Sequence, residues 1–180
     1  GDGQLNADDR TKIGSPWADM TMGLNLNLGY KNFDLVANFY ASIGNDIVNQ
    51  NIQELYNSAG SGGKVNKVSG LLDMAWHGEG TSNWVPRVID GDNNNYQVSN
   101  FFVEDGSYMR LKVLQIGYSL PGQMLQRVGV KGLRFFVQGE NLFTITNYSG
   151  YDPEVGTRDG FDGGTYPQAR TYTIGANITF

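Results

Sequence analysis

The chain is dominated by period-two alternation of apolar and polar residues, sustained over about ten residues at a time, roughly twice the length of an ordinary soluble strand. Met22, Leu24, Leu26, Leu28 and Tyr30 alternate with Thr21, Gly23, Asn25, Asn27 and Gly29. After a Lys31-Asn32 turn, Phe33, Leu35, Ala37, Phe39, Ala41 and Ile43 alternate with polar Asp34, Asn38, Tyr40 and Ser42. Residues 21–31 and 33–44 therefore read as a long hairpin. A third strand over 107–120 slips in parity: Met109, Leu111 and Val113 are odd-numbered, whereas Leu114, Ile116, Tyr118 and Leu120 are even. The slip predicts a β-bulge near Val113, or a strand whose upper half leaves the apolar zone. Residues 133–143 and 170–180 complete the set, the last reading Tyr172, Ile174, Ala176, Ile178 and Phe180 against threonine, glycine and asparagine.

The connections alternate in length. Residues 45–106 and 144–169 are long, polar and rich in Asn, Gly, Ser and Asp, whereas the turns at 31–32 and 121–132 are short. Short helical turns are expected over Asp46–Tyr56, Leu71–Trp76 and Met124–Arg127. No apolar run approaches the roughly 18 to 20 residues of a spanning helix. Long strands with loops short at one end and long at the other instead suit an antiparallel transmembrane β-barrel segment with long extracellular loops. The alternative is a soluble β-sandwich, which could present loop aromatics to glycans. With 22 aromatic residues the chain is not disordered, and with no cysteine it has neither a disulfide framework nor a thiolate metal site.

Net charge is −5, which argues against nucleic acid as a partner. Its distribution is uneven. Residues 1–20, 45–107 and 144–169 hold 16 of the 18 acidic residues and 6 of the 13 basic ones. Acid thus gathers at the long-loop end, a rim that favours divalent cations, neutral sugars or peptides over anions, unless these are simply solvated loops.

Particular phrases then carry a resemblance. They are Gly1-Asp2-Gly3-Gln4-Leu5-Asn6-Ala7-Asp8-Asp9-Arg10 with Ile13-Gly14-Ser15-Pro16, and Gly29-Tyr30-Lys31-Asn32-Phe33-Asp34-Leu35. Val103-Glu104-Asp105-Gly106-Ser107-Tyr108-Met109-Arg110-Leu111-Lys112 and Gly117-Tyr118-Ser119-Leu120-Pro121 follow. Gly139-Glu140-Asn141-Leu142-Phe143-Thr144, Gly150-Tyr151-Asp152-Pro153-Glu154 and Tyr166-Pro167-Gln168-Ala169-Arg170 complete the order. The ordered set resembles the C-terminal part of a SusC/RagA-type TonB-dependent outer-membrane transporter, with residues 45–100 resembling it least.

The resemblance implies a plugged barrel in the bacterial outer membrane that imports bulky nutrients, oligosaccharides or peptides. It implies drive from the TonB complex and a SusD-type surface lipoprotein over the extracellular opening. Five strands cannot close a barrel, since about eight is the minimum and plugged transporters have about 22. The chain is therefore expected to be part of a larger wall, without the plug domain.

Three groups of candidate site residues stand out. Gly3 fits the sixth position of a calcium loop, which places Asp2 fifth, Gln4 seventh through its carbonyl, Asn6 ninth and Asp9 twelfth. An ion-free Asp/Asn/Gly turn has the same composition. Trp76, Trp84, Tyr96, Tyr148, Tyr151 and Tyr166 lie in the long loops, where they could contact substrate or partner, or pack the loops together. Tyr172, Ile174, Ala176, Ile178 and Phe180 resemble the terminal signal read by the barrel-assembly machinery, and the same residues suit a lipid-facing stripe. Lone His77 and the loop acid pairs form no catalytic constellation, so no enzyme is expected.

Overall fold

A computed structural model describes residues 3, 6–57, 66–89, 94–125, 129–154 and 159–180. Five long strands form one antiparallel sheet: β1 (Met20–Tyr30), β2 (Phe33–Ile43), β5 (Tyr108–Ser119), β6 (Gly132–Thr146) and β8 (Thr171–Thr179), in the order β1-β2-β5-β6-β8. Between them lie β3 (Asp46–Asn49), α1 (Gln50–Tyr56), α2 (Leu71–Met74), β4 (Val103–Asp105), α3 (Gly122–Leu125) and β7 (Phe161–Asp162). Strands of 9 to 15 residues match the 9 to 11 that a tilted bilayer crossing needs, with some to spare.

Register carries the alternation across the whole sheet. Leu28 lies opposite Leu35, Leu35 opposite Ile116, Ile116 opposite Val137 and Val137 opposite Ile174. All five share one face, because directly opposed residues point the same way. Among the described residues no second layer covers that face: Leu26 is 38% exposed, Phe135 49% and Ile174 83%. A sandwich would bury this stripe beneath a second sheet, and the second sheet present, β4-β3-β7, belongs to the loops. The sheet is a segment of barrel wall with hydrocarbon as the neighbour of its apolar face. No helix among the described residues is long and apolar enough to cross a membrane.

The parity slip is a bulge. Asn38 pairs with Val113 but the next residue, Phe39, pairs with Leu111, so β5 carries one extra residue at Lys112. Leu111 and Leu114 thereby both lie on the apolar face, Leu111 buried among its neighbours there. The short-turn ends are staggered: Tyr30 lies in the register row of Phe135, whereas Phe180 lies beside Lys131, four residues further along β6. That is an offset of roughly 13 Å over four strand steps of about 4.8 Å, the stagger that strands tilted by about 35° in a membrane barrel need to end at one depth.

Two local expectations change. The predicted helix over Asp46–Tyr56 begins only at Gln50, because Asp46–Val48 pair with β4 and the Asn49 side chain then caps the helix by accepting from Ile52 N. The fourth strand runs on past Phe143 to Thr146, since Thr144, Ile145 and Thr146 pair with Arg110, Met109 and Tyr108.

Candidate functional site

On the polar, lumen face, opposing charges meet where the wall joins the loops. Arg110 and Lys112 both reach that face by ordinary alternation, two residues apart on β5 just before the bulge shifts the parity of Val113 and Leu114. Arg110 Nη2 lies 2.5 Å from Asp152 Oδ1, and its Nη1 lies 2.5 Å from Glu154 Oε2. Its Nε donates to Thr144 Oγ1 at 2.7 Å. Lys112 Nζ adds a 2.6 Å contact to Glu154 Oε1 and sits 5.9 Å from the centre of the Tyr40 ring. The segment 147–154 is thereby strapped inward against the wall. The Arg110 and Asp152 side chains are almost wholly buried, so each is satisfied only by the other and by its hydrogen bonds. Burial by itself would raise the Asp152 pKa. The Arg110 guanidinium and the N–H groups of Gln168 and Glu154 outweigh it and hold the carboxyl below its ordinary range.

A second set of bonds ties the two long loops to each other. The Tyr148 hydroxyl donates to Asp162 Oδ2 at 2.7 Å, and burial together with this bond raises its pKa. Glu104 accepts from Asn49 Nδ2, Ser149 N and Ser149 Oγ at 2.9, 2.8 and 2.7 Å. β3 pairs antiparallel with β4 and parallel with β7, so both loops share one small sheet. Between the strap and the upper end of β6 lies a cavity of about 400 Å³ lined by Asn141, Thr144, Tyr151, Pro167 and Arg170.

Two TonB-dependent receptors of Formosa agariphila are 40% and 31% identical to this chain over its whole length. The TonB-dependent receptor SusC of Bacteroides thetaiotaomicron is 28% identical, again over the whole chain. Solved structures of the RagAB peptide importer, in closed-closed and open-open states, match 98% of the chain with a TM-score of 0.84, at 29% and 28% identity. The chain belongs to the TonB-dependent receptors. No family model matches it. It spans between 17% and 19% of the length of these relatives. It is thus a segment of an outer-membrane receptor's barrel.

In this receptor segment the loop aromatics divide. Tyr96 and Tyr148 are each only 5% exposed, and Tyr96 packs with Phe102, Val48, Ile52 and Phe101. Trp84 packs edge-on to Tyr56 and against Phe101, with ring centres 5.3 and 5.5 Å away, while Trp76 lies under the Arg87 guanidinium at 4.4 Å. Tyr151 and Tyr166 stand free, 79% and 87% exposed. Of the metal candidates, Asp2 and Gln4 lie outside the described residues. Asn6 and Asp9 face each other across one 3-10 turn: Asn6 Oδ1 accepts from Asp8 N at 2.7 Å, and Asp9 Oδ2 accepts from Asn6 N at 2.9 Å. Both oxygens are engaged in a capping box, and no group of three His, Cys, Asp or Glu side chains able to hold a metal occurs among the described residues. Tyr172, Ile174, Ala176, Ile178 and Phe180 form the outward face of β8, whose far edge is bare among the described residues.

The Arg110–Asp152 strap is absent from the sequence expectations. Its one legible trace is matched spacing: Arg110 and Lys112 stand two residues apart, and so do Asp152 and Glu154. A second wall pair, Asp34 with Arg134, crosses β5 above Gly117, where any Cβ would collide with both side chains.

Proposed function

We propose that the chain is wall and mouth of an importer that carries bulky nutrients, oligosaccharides or peptides, across the outer membrane. Its acidic loop end receives the substrate beneath a SusD-type surface lipoprotein, and the TonB complex acts through parts of the receptor outside this segment. The barrel-assembly machinery reads β8 during insertion. A Ca²⁺ ion in the N-terminal loop of the intact protein, held by Asp2, the Gln4 carbonyl, Asn6 and Asp9, would have to displace the capping bonds of that turn. The observation that carries this reading is the uncovered apolar face, continuous over five strands. The likeness to SusC and to the RagAB peptide importer supports it. The test is binding of the full-length receptor, with its lipoprotein, to a panel of glycans and peptides. The expected result is saturable binding of one polymer class that weakens when the lipoprotein is omitted; no binding across the panel sinks the reading.

A further inference from the structure

The short-turn end of the wall carries a charge pattern opposite to that of the mouth. From Tyr118 to Leu133 the sequence contains Arg127 and Lys131 and no acidic residue, and the β1–β2 turn contributes Lys31. Lys31 and Lys131 are both exposed, and neither makes an ion pair among the described residues. Asp34, the nearest acid to that turn, is turned to the lumen and held by Arg134.

With Tyr30 and Phe180 set at one depth, as strands tilted by about 35° in a barrel require, the two lysines share a depth as well. The line that joins Tyr30 on β1 to Phe180 after β8 descends about one residue per strand step. Lys31 lies one residue outside that line on β1, and Lys131 lies about one residue outside it on β6. Their separation, from strand spacing and stagger, is roughly 17 Å. Immediately inward is a belt of rings, with Tyr30, Phe33 and Tyr118 in one register row and Phe180 at its far end. Phe33 and Tyr118 are in ring contact at 4.7 Å, and Lys31 Nζ lies 5.3 Å from the centre of the Tyr30 ring. Aromatic rings settle at headgroup depth, so cations one residue further out lie at the level of lipid phosphates. Met124, on α3 in the same turn region, is also exposed and apolar.

We infer that Lys31, against the Tyr30–Phe33–Tyr118 belt, and Lys131, beside Phe180, each hold the headgroup of an anionic phospholipid in the periplasmic leaflet. The inference rests on the barrel orientation proposed above, with short turns periplasmic. The chemistry at each lysine is one phosphodiester anion met by one ammonium group, with Tyr30 beside Lys31 and Phe180 beside Lys131. The acidic mouth at the other end repels the same lipids, so the pattern also favours one orientation in the bilayer.

The test uses the full-length receptor in nanodiscs of mixed phosphatidylethanolamine and phosphatidylglycerol, with retained lipid counted by native mass spectrometry. Wild-type receptor should retain phosphatidylglycerol in preference to phosphatidylethanolamine. K31Q and K131Q should each weaken the preference about fivefold. K31R/K131R should preserve it, and K12Q, at the opposite end, should leave it unchanged. Equal retention by wild type and K31Q/K131Q overturns the inference while leaving the importer reading intact. Loss of the lipid to added inorganic phosphate overturns it in favour of a free-phosphate site. A receptor that fails to insert into nanodiscs at all breaks the barrel reading itself.

Discussion

The wall and the mouth are held together by different physics. In the wall every strand finds its neighbour through the backbone ladder, and its outward side chains need no specific partner because lipid is the partner. In the mouth, chains that wander far from any ladder are fixed by a few bonds between named groups: Arg110 to Asp152, Tyr148 to Asp162, Glu104 to Asn49 and Ser149. The wall therefore tolerates exchange of one apolar residue for another but not a charge, whereas the mouth tolerates neutral surface change but not the loss of a bonding atom.

The sharpest break in that contrast is Asp152→Ala, which leaves Arg110 buried with one carboxylate fewer. It should cost about 3–5 kcal/mol of strap stability. Hydrogen exchange should show residues 147–154 opening while the five-stranded sheet stays protected; loss of sheet protection as well would show that the two regions are not independent. Next comes Ile174→Arg at the lipid face, with an expected cost of about 2–4 kcal/mol and failed assembly. Asn177→Arg, on the lumen face of the same strand, should be tolerated, as read by heat-modifiable mobility of the full-length barrel. Equal tolerance at both positions would remove the distinction between faces.

Smaller effects sharpen the comparison. Tyr148→Phe removes one hydroxyl bond to Asp162 and should loosen the tie between the two loops by about 1–2 kcal/mol, measurable as faster proteolysis near residue 150. The pH response follows from the Asp152 carboxyl. Its folded pKa lies below its ordinary value, so its contribution is complete above that ordinary value and is lost as pH falls through the folded one. Strap protection should thus be flat from neutral pH down to about pH 4 and fall only below that. Lys112→Gln should matter least, well under 1 kcal/mol, because its pair with Glu154 is partly exposed and screened.

The legibility of the sequence divides along the same boundary. Facing is written locally in a strand, since successive side chains point to opposite sides whatever lies beyond them. Leu24, Phe39 and Val137 therefore announce a common face, and the slip between Val113 and Leu114 announces a bulge. The loop aromatics announce less. Tyr96 and Tyr151 have the same character in the sequence, yet one is buried and the other free, because burial depends on which distant segment arrives. The Asp46 region misleads in the same way: its short apolar run suits a helix, and only β4, more than fifty residues later, makes its first half a strand.

What the sequence by itself determined is the wall: its five strands, the apolar face, the parity slip, the acidic and basic ends, and the family phrases that mark a receptor barrel. What only the tertiary structure decided is the mouth, where Arg110 meets Asp152 across 42 residues and Tyr148 joins a loop sheet built from three separate stretches. The reason is one of range. Period and propensity act between neighbours in the chain, whereas an ion pair or a hydrogen bond acts between neighbours in space, and in the loops those are not the same residues.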